Sequence, residues 1–86
     1  NTARGGIVNE TALFKALSNE SIWAAGLDVF EQEPVDPTHP LLTLPNLVAI
    51  PHIGSASVQT RLKMAQLALD NLLLGVKNSP PKHAVY

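Results

Sequence analysis

The sequence predicts an α/β fold, the C-terminal part of a doubly wound parallel sheet domain followed by a long helix that crosses to a second domain. Three observations lead there. Residues 22–30 form a nearly continuous apolar run, as expected of a strand buried on both faces. Charged groups capable of chemistry sit beside strand-like stretches: Glu33 after that run, His52 after residues 47–50, and Arg4 at the head of the chain. In open α/β sheets ligands bind outside the carboxyl ends of the strands, which is where these groups would gather. Finally, residues 58–74 carry an apolar stripe so wide that it needs a sizeable partner surface.

The elements follow in order. Asn9 suits a helix N-cap, and Glu10 stands favourably near the positive end of the helix it opens. Ala12, Leu13, Ala16 and Leu17 recur at helical spacing, giving a short amphipathic helix to about residue 18. Residues 18–21 are polar and loop-like, and the first strand follows. Pro34, Pro37, Pro40 and Pro45 exclude a regular helix over residues 31–46, where Leu41, Leu42 and Leu44 are expected to anchor the loop. Residues 47–50 are the second strand, stopped by Pro51. Ser57 caps the long helix and Gly75 is expected to close it. In that helix Val58, Leu62, Ala65, Leu69 and Leu72 step by four and three, with Met64, Leu67, Leu73 and Leu74 widening the stripe. Residues 76–86 are expected to be extended and loosely held.

Bulk composition narrows the function classes. A chain of 86 residues makes at most one small domain, and one this short buries only roughly 60% of its unfolded surface. Its net charge of −1 gives no electrostatic case for nucleic acid or an anionic membrane surface. The absence of cysteine leaves neither a disulfide framework nor a thiolate metal site. Arg61, Lys63 and Asp70 interrupt the long helix, which argues against a membrane span. Asn1 already belongs to a motif, without initiator methionine or signal peptide, so the chain reads as the tail of something longer.

Arg4 beside Gly5-Gly6 offers a planar guanidinium suited to grip a carboxylate through two parallel hydrogen bonds. His52 gains interest from Glu33, because a carboxylate fixes an imidazole's tautomer and favours its charged form. Such a pair can give a proton to a substrate oxygen and take it back in reverse. Asp28 lies inside an apolar run and needs a partner, from protein or ligand. Glu31 is expected to face water, and His39 and His83 to be surface residues. No His/Asp/Glu spacing suggests a metal site, and no serine has the surroundings of a nucleophile elbow.

Three motifs stand in fixed order: Asn1-Thr2-Ala3-Arg4-Gly5, Leu27-Asp28-Val29-Phe30-Glu31-Gln32-Glu33-Pro34 and Pro51-His52-Ile53-Gly54-Ser55-Ala56. Together they resemble the C-terminal third of the D-isomer-specific 2-hydroxyacid dehydrogenases, over residues 1 to about 75. The resemblance implies a Rossmann-type domain, with residues 1–56 its C-terminal part and residues 57–86 returning to the substrate domain. It implies hydride transfer between NAD or NADP and a small 2-oxo acid, giving a D-2-hydroxy acid. Arg4, Glu33 and His52 match the catalytic residues: Arg4 the binder of the substrate's carboxylate and keto group, His52 the general acid/base, Glu33 the carboxylate that orients it. Ala3, Arg4, Asp28, His52 and Gly54 match the cofactor side, Asp28 as partner of the nicotinamide carboxamide. Arg4, His52 and Ser55 match the substrate side.

Residues 38–42 and 71–73 look most like glyoxylate/hydroxypyruvate reductases, while phosphoglycerate dehydrogenases share much of this pattern. Related formate dehydrogenases carry glutamine where Glu33 stands, which disfavours that branch. The resemblance further implies a cytoplasmic homodimer that binds a small acid and neither nucleic acid nor membrane. A non-catalytic, NAD(H)-sensing corepressor with the same fold is the alternative. The glycine-rich phosphate loop that would select the nucleotide is not among these residues.

Overall fold

The computed structural model describes residues 1–85, which form two compact units, Asn1–Gly54 and the segment from Ser55 onward. In the first, helix α1 spans Glu10–Ser18. Its N-cap is Asn9, whose Oδ1 accepts from the Ala12 amide at 2.9 Å, and Glu10 and Lys15 complement the two ends of the helix dipole. Strand β1, Ala25–Leu27, pairs in parallel with strand β2, Leu47–Ala49, in the register Ala25↔Leu47 and Leu27↔Ala49. The sheet's parallel sense sends both strands' carboxyl ends to one edge. Asn1 lies along the other side of β1: its backbone nitrogen donates to the Gly26 carbonyl at 2.8 Å, and its carbonyl accepts from the Asp28 amide at 3.0 Å.

The core is small. Leu17, Leu27, Phe30 and Leu41 are buried together, with Leu13, Phe14, Ala25, Val35, Leu44 and Leu47 packed around them. The proline-rich connection contributes through one 3-10 turn, Pro40–Thr43, which proline initiates without loss because its missing N–H would be unpaired there. That turn drives Leu41 fully into the core and leaves Leu42 exposed, so of the three leucines expected to anchor the loop Leu42 does not. Asn46 closes the far end, donating from Nδ2 to the carbonyls of Leu17 and Trp23, both at 3.2 Å.

Two expectations for this unit are corrected. The first strand is three residues long, and Trp23 at its head is 93% exposed. The Ile22 amide still bonds back to Ala16 of α1, and pairing starts only where the Ala25 amide meets the Asn46 carbonyl. The apolar character of residues 22–24 therefore does not mark strand. His39 is not a plain surface residue. Its Nδ1 accepts from the Leu41 amide at 3.1 Å, and its Nε2 lies 3.4 Å from Glu10 Oε2. Glu10 Oε1 in turn accepts from the Glu31 amide at 3.1 Å, so the pair ties α1 to both ends of the connection.

In the second unit, helix α2 spans Val58–Val76, with Ser57 as N-cap accepting from the Thr60 amide at 3.1 Å. It runs past Gly75. The stop is Asn78, which takes the left-handed conformation at φ 55, while the Asn78 and Ser79 amides bond the carbonyls of Gly75 and Leu74. This pairing is a Schellman motif, with asparagine in the place glycine usually takes. The tail is held at one point, where the Lys82 amide donates to Asn71 Oδ1 at 2.8 Å and Lys82 Nζ meets Asp70 Oδ2 at 3.1 Å; Tyr86 lies outside the described residues. None of the residues of α2 is buried, and Leu62, Met64, Leu69, Leu72 and Leu73 are exposed. Among the described residues no helix is long and apolar enough to cross a membrane.

Candidate active site

Glu33 and His52 meet beyond the carboxyl ends of β1 and β2. His52 Nδ1 lies 2.6 Å from Glu33 Oε2, a short, charge-assisted contact. Each partner is placed by the backbone next to it. Glu33 Oε1 accepts from the Phe30 amide at 3.1 Å, so the loop after β1 curls back and aims the second oxygen outward. After β2, the Ile50 amide makes the last rung to Leu27 at 2.9 Å, and the His52 amide then reaches back over Pro51 to the Ile50 carbonyl at 3.1 Å. That three-residue turn suits the φ that proline fixes. His52 itself is left-handed, with φ 54. With Nδ1 committed to Glu33, Nε2 is the ring nitrogen left for a ligand.

The environment favours an ionised carboxylate. The hydrogen bond from His52, the Phe30 amide, and the charges of His52 and Arg4 hold the Glu33 carboxyl below its ordinary value, against a smaller opposing effect of desolvation. Both side chains remain partly open to solvent, 44% for His52 and 36% for Glu33. A cleft of ≈ 500 Å³ lies beside them, walled by Phe30, Val35, Ile50 and Pro51.

Arg4 is exposed, and its guanidinium Nη1 donates to the Ala3 carbonyl at 2.9 Å. The structure brings its charge close enough to act on Glu33 and gives it no direct contact with His52. What presents Arg4 is Asn1: its Oδ1 accepts from the Ala3 amide at 3.1 Å and its Nδ2 donates to the Arg4 carbonyl at 3.0 Å. This role was readable in the spacing, because asparagine commonly closes such turns onto backbone two or three residues on. Gly5 follows because a side chain there would strike the Phe30 carbonyl.

Asp28 is buried, and the partners its charge requires are backbone amides: Ile53 to Oδ1 and Gly54 to Oδ2, both at 2.7 Å. Two of roughly four acceptor positions on the carboxylate are thereby used. Ala3 and Gly54 are exposed on the same unit, and Ser55, also exposed, opens the second.

The comparisons with known proteins show the family. The chain is 53% identical over 85 residues to glyoxylate/hydroxypyruvate reductase B of Serratia proteamaculans and 54% identical to that of Citrobacter koseri. These matches cover 99% of this chain and 26% of either relative, so the chain spans about a quarter of their length. Its fold superposes with TM-score 0.83 on a Thermus thermophilus protein that is 48% identical, covering 100% of this chain and 27% of that one. It superposes with TM-score 0.78 on an NADPH-dependent glyoxylate/hydroxypyruvate reductase of Sinorhizobium meliloti in complex with NADP and malonate. That enzyme is 51% identical over 86% of this chain and 23% of its own. Residues 1–54 match the model of the NAD binding domain of the D-isomer specific 2-hydroxyacid dehydrogenases. The chain belongs to that family, and its first unit is the closing part of the Rossmann-type domain expected from the sequence.

Proposed function

We propose that this chain forms the C-terminal quarter of a subunit that reduces a small 2-oxo acid of the glyoxylate/hydroxypyruvate class to a D-2-hydroxy acid. The observation that carries the reading is the 2.6 Å contact of Glu33 with His52 at the carboxyl edge of a parallel sheet, in a chain of this family. The relatives' names supply the substrate class and the nucleotide, NADH or NADPH. Residues 1–56 are the domain's closing part, and residues 57–86 return to the substrate domain. The exposed apolar residues of α2 support the second assignment.

In this reading the nicotinamide cofactor, when bound, would supply the hydride that reduces the carbonyl carbon. His52 Nε2 gives its proton to the carbonyl oxygen as the C=O double bond opens, so that a C–H and an O–H bond form together. Glu33 holds the ring and balances the charge it carries before the transfer. Arg4 grips the substrate carboxylate and keto oxygen, and Ser55 lines the substrate side. The residues fit the nicotinamide end of the cofactor: Asp28 keeps acceptor capacity at the sheet's edge, and Ala3 and Gly54 are open backbone there. The subunit is taken to act as a cytoplasmic homodimer, an assignment that rests on the family resemblance. No observation favours the corepressor alternative. The test is turnover of glyoxylate and of hydroxypyruvate with NADPH and NADH by the full-length protein. A protein that binds NADPH yet reduces neither acid would overturn the reading.

A further inference from the structure

We infer that Asp28 is a positioning residue for His52: its buried carboxylate is the built-in anion of a backbone nest that fixes the turn carrying the imidazole. The inference rests on the acid–base reading of the Glu33–His52 pair given above. Two successive amides, Ile53 and Gly54, converge on the two oxygens of one carboxylate at 2.7 Å each. Successive N–H groups gathered by a left-handed residue form an anion-binding concavity, and His52, at φ 54, is that residue. Left-handed backbone is uncommon outside glycine, although histidine adopts it more readily than most, so the bonds of the turn decide how firmly it is held. Here the holding group is Asp28, 2% exposed and itself in need of partners.

The geometry on the other side of the pair has the same origin. Phe30, two residues beyond Asp28, gives its amide to Glu33 Oε1. The short segment after β1 therefore anchors both partners, the imidazole's turn through Asp28 and the carboxylate through Phe30. Gly54 is the complementary requirement, because a Cβ there would stand 2.9 Å from Asp28 Oδ2. This positioning role differs from a carboxamide contact in what it predicts. Losing the clamp should move His52 already in the apoprotein, before any cofactor binds, whereas losing a cofactor contact alone would leave the apoprotein's His52–Glu33 pair intact.

The experiment compares wild type, Asp28→Asn and Gly54→Ala in the full-length protein, with glyoxylate and NADPH as probes. Asn puts an NH2 donor against an amide N–H, and Ala crowds Oδ2 with a Cβ from the same residue whose amide bonds it. Both should lower kcat by on the order of 100-fold, the scale of an ångström-sized misplacement. Both should also erase the deshielded Nδ1 proton signal of the His52–Glu33 hydrogen bond in NMR spectra of the apoprotein. If Asp28→Asn weakens NADPH binding about tenfold or more while kcat and the proton signal persist, Asp28 serves the cofactor alone and the inference fails. If Asp28→Asn does not fold, Gly54→Ala decides: an unchanged kcat and proton signal there also overturns it. Loss of the signal in a protein that reduces no 2-oxo acid would uphold the positioning and defeat the proposed function instead.

Discussion

Glu33 spends one oxygen on His52 and the other on the Phe30 amide, and this division sets how the pair answers pH. The His52 hydrogen bond first, and the Phe30 amide second, keep the carboxyl below its ordinary value of 4.5. A group lowered on folding stabilises the protein above its ordinary value, and that contribution is lost as pH falls through the lowered one. Denaturant midpoints of the full-length protein should therefore drop below pH 4.5 by less in Glu33→Gln than in wild type. At working pH the same substitution replaces the carboxylate that holds His52 Nδ1 with a neutral amide, so kcat should fall without being abolished. An unchanged kcat would rule out the pairing. Arg4→Lys keeps the charge and loses the two-pronged grip, so KM for the 2-oxo acid should rise far more than Kd for NADPH. Equal losses for both would count against the clamp.

The elements show which sequence signals were enough. Caps are local chemistry, and Asn9 and Ser57 act as the sequence indicated because each hydroxyl or amide oxygen needs only an amide three residues on. Strand length is not local. Residues 22–24 are as apolar as their successors, yet the ladder begins only at Ala25, where Asn46 offers a partner. Gly75 carries the usual stop signal, and α2 ignores it because Asn78 supplies the left-handed residue with both return bonds. The Glu33–His52 pairing was legible from motif order. The amides that aim it were not, since backbone donors leave no mark on a sequence. Within the proline-rich connection, Leu41 is the one fully buried leucine, at 0% exposure. Leu41→Ala should cost about 2–5 kcal/mol of unfolding free energy, against near-neutral Leu42→Ala, in denaturant titrations of the full-length protein. Equal costs would mean that the 3-10 turn does not set which leucine faces in.

At the scale of the whole molecule, this chain holds Arg4, Glu33 and His52 without a phosphate-binding glycine loop. A cofactor is held largely by its phosphates and ribose, and hydride transfer demands close approach to the substrate carbon. The isolated 86-residue chain should therefore turn over no glyoxylate and should self-associate through the apolar side chains of α2 in sedimentation experiments. The central claim, that His52 is the proton donor of a 2-oxo acid reductase, is tested most directly by His52→Ala in the full-length protein. Glyoxylate reduction with NADPH should fall by on the order of a hundredfold or more, the range for a positioned acid/base, with NADPH affinity retained. Wild-type turnover in that variant would contradict the account.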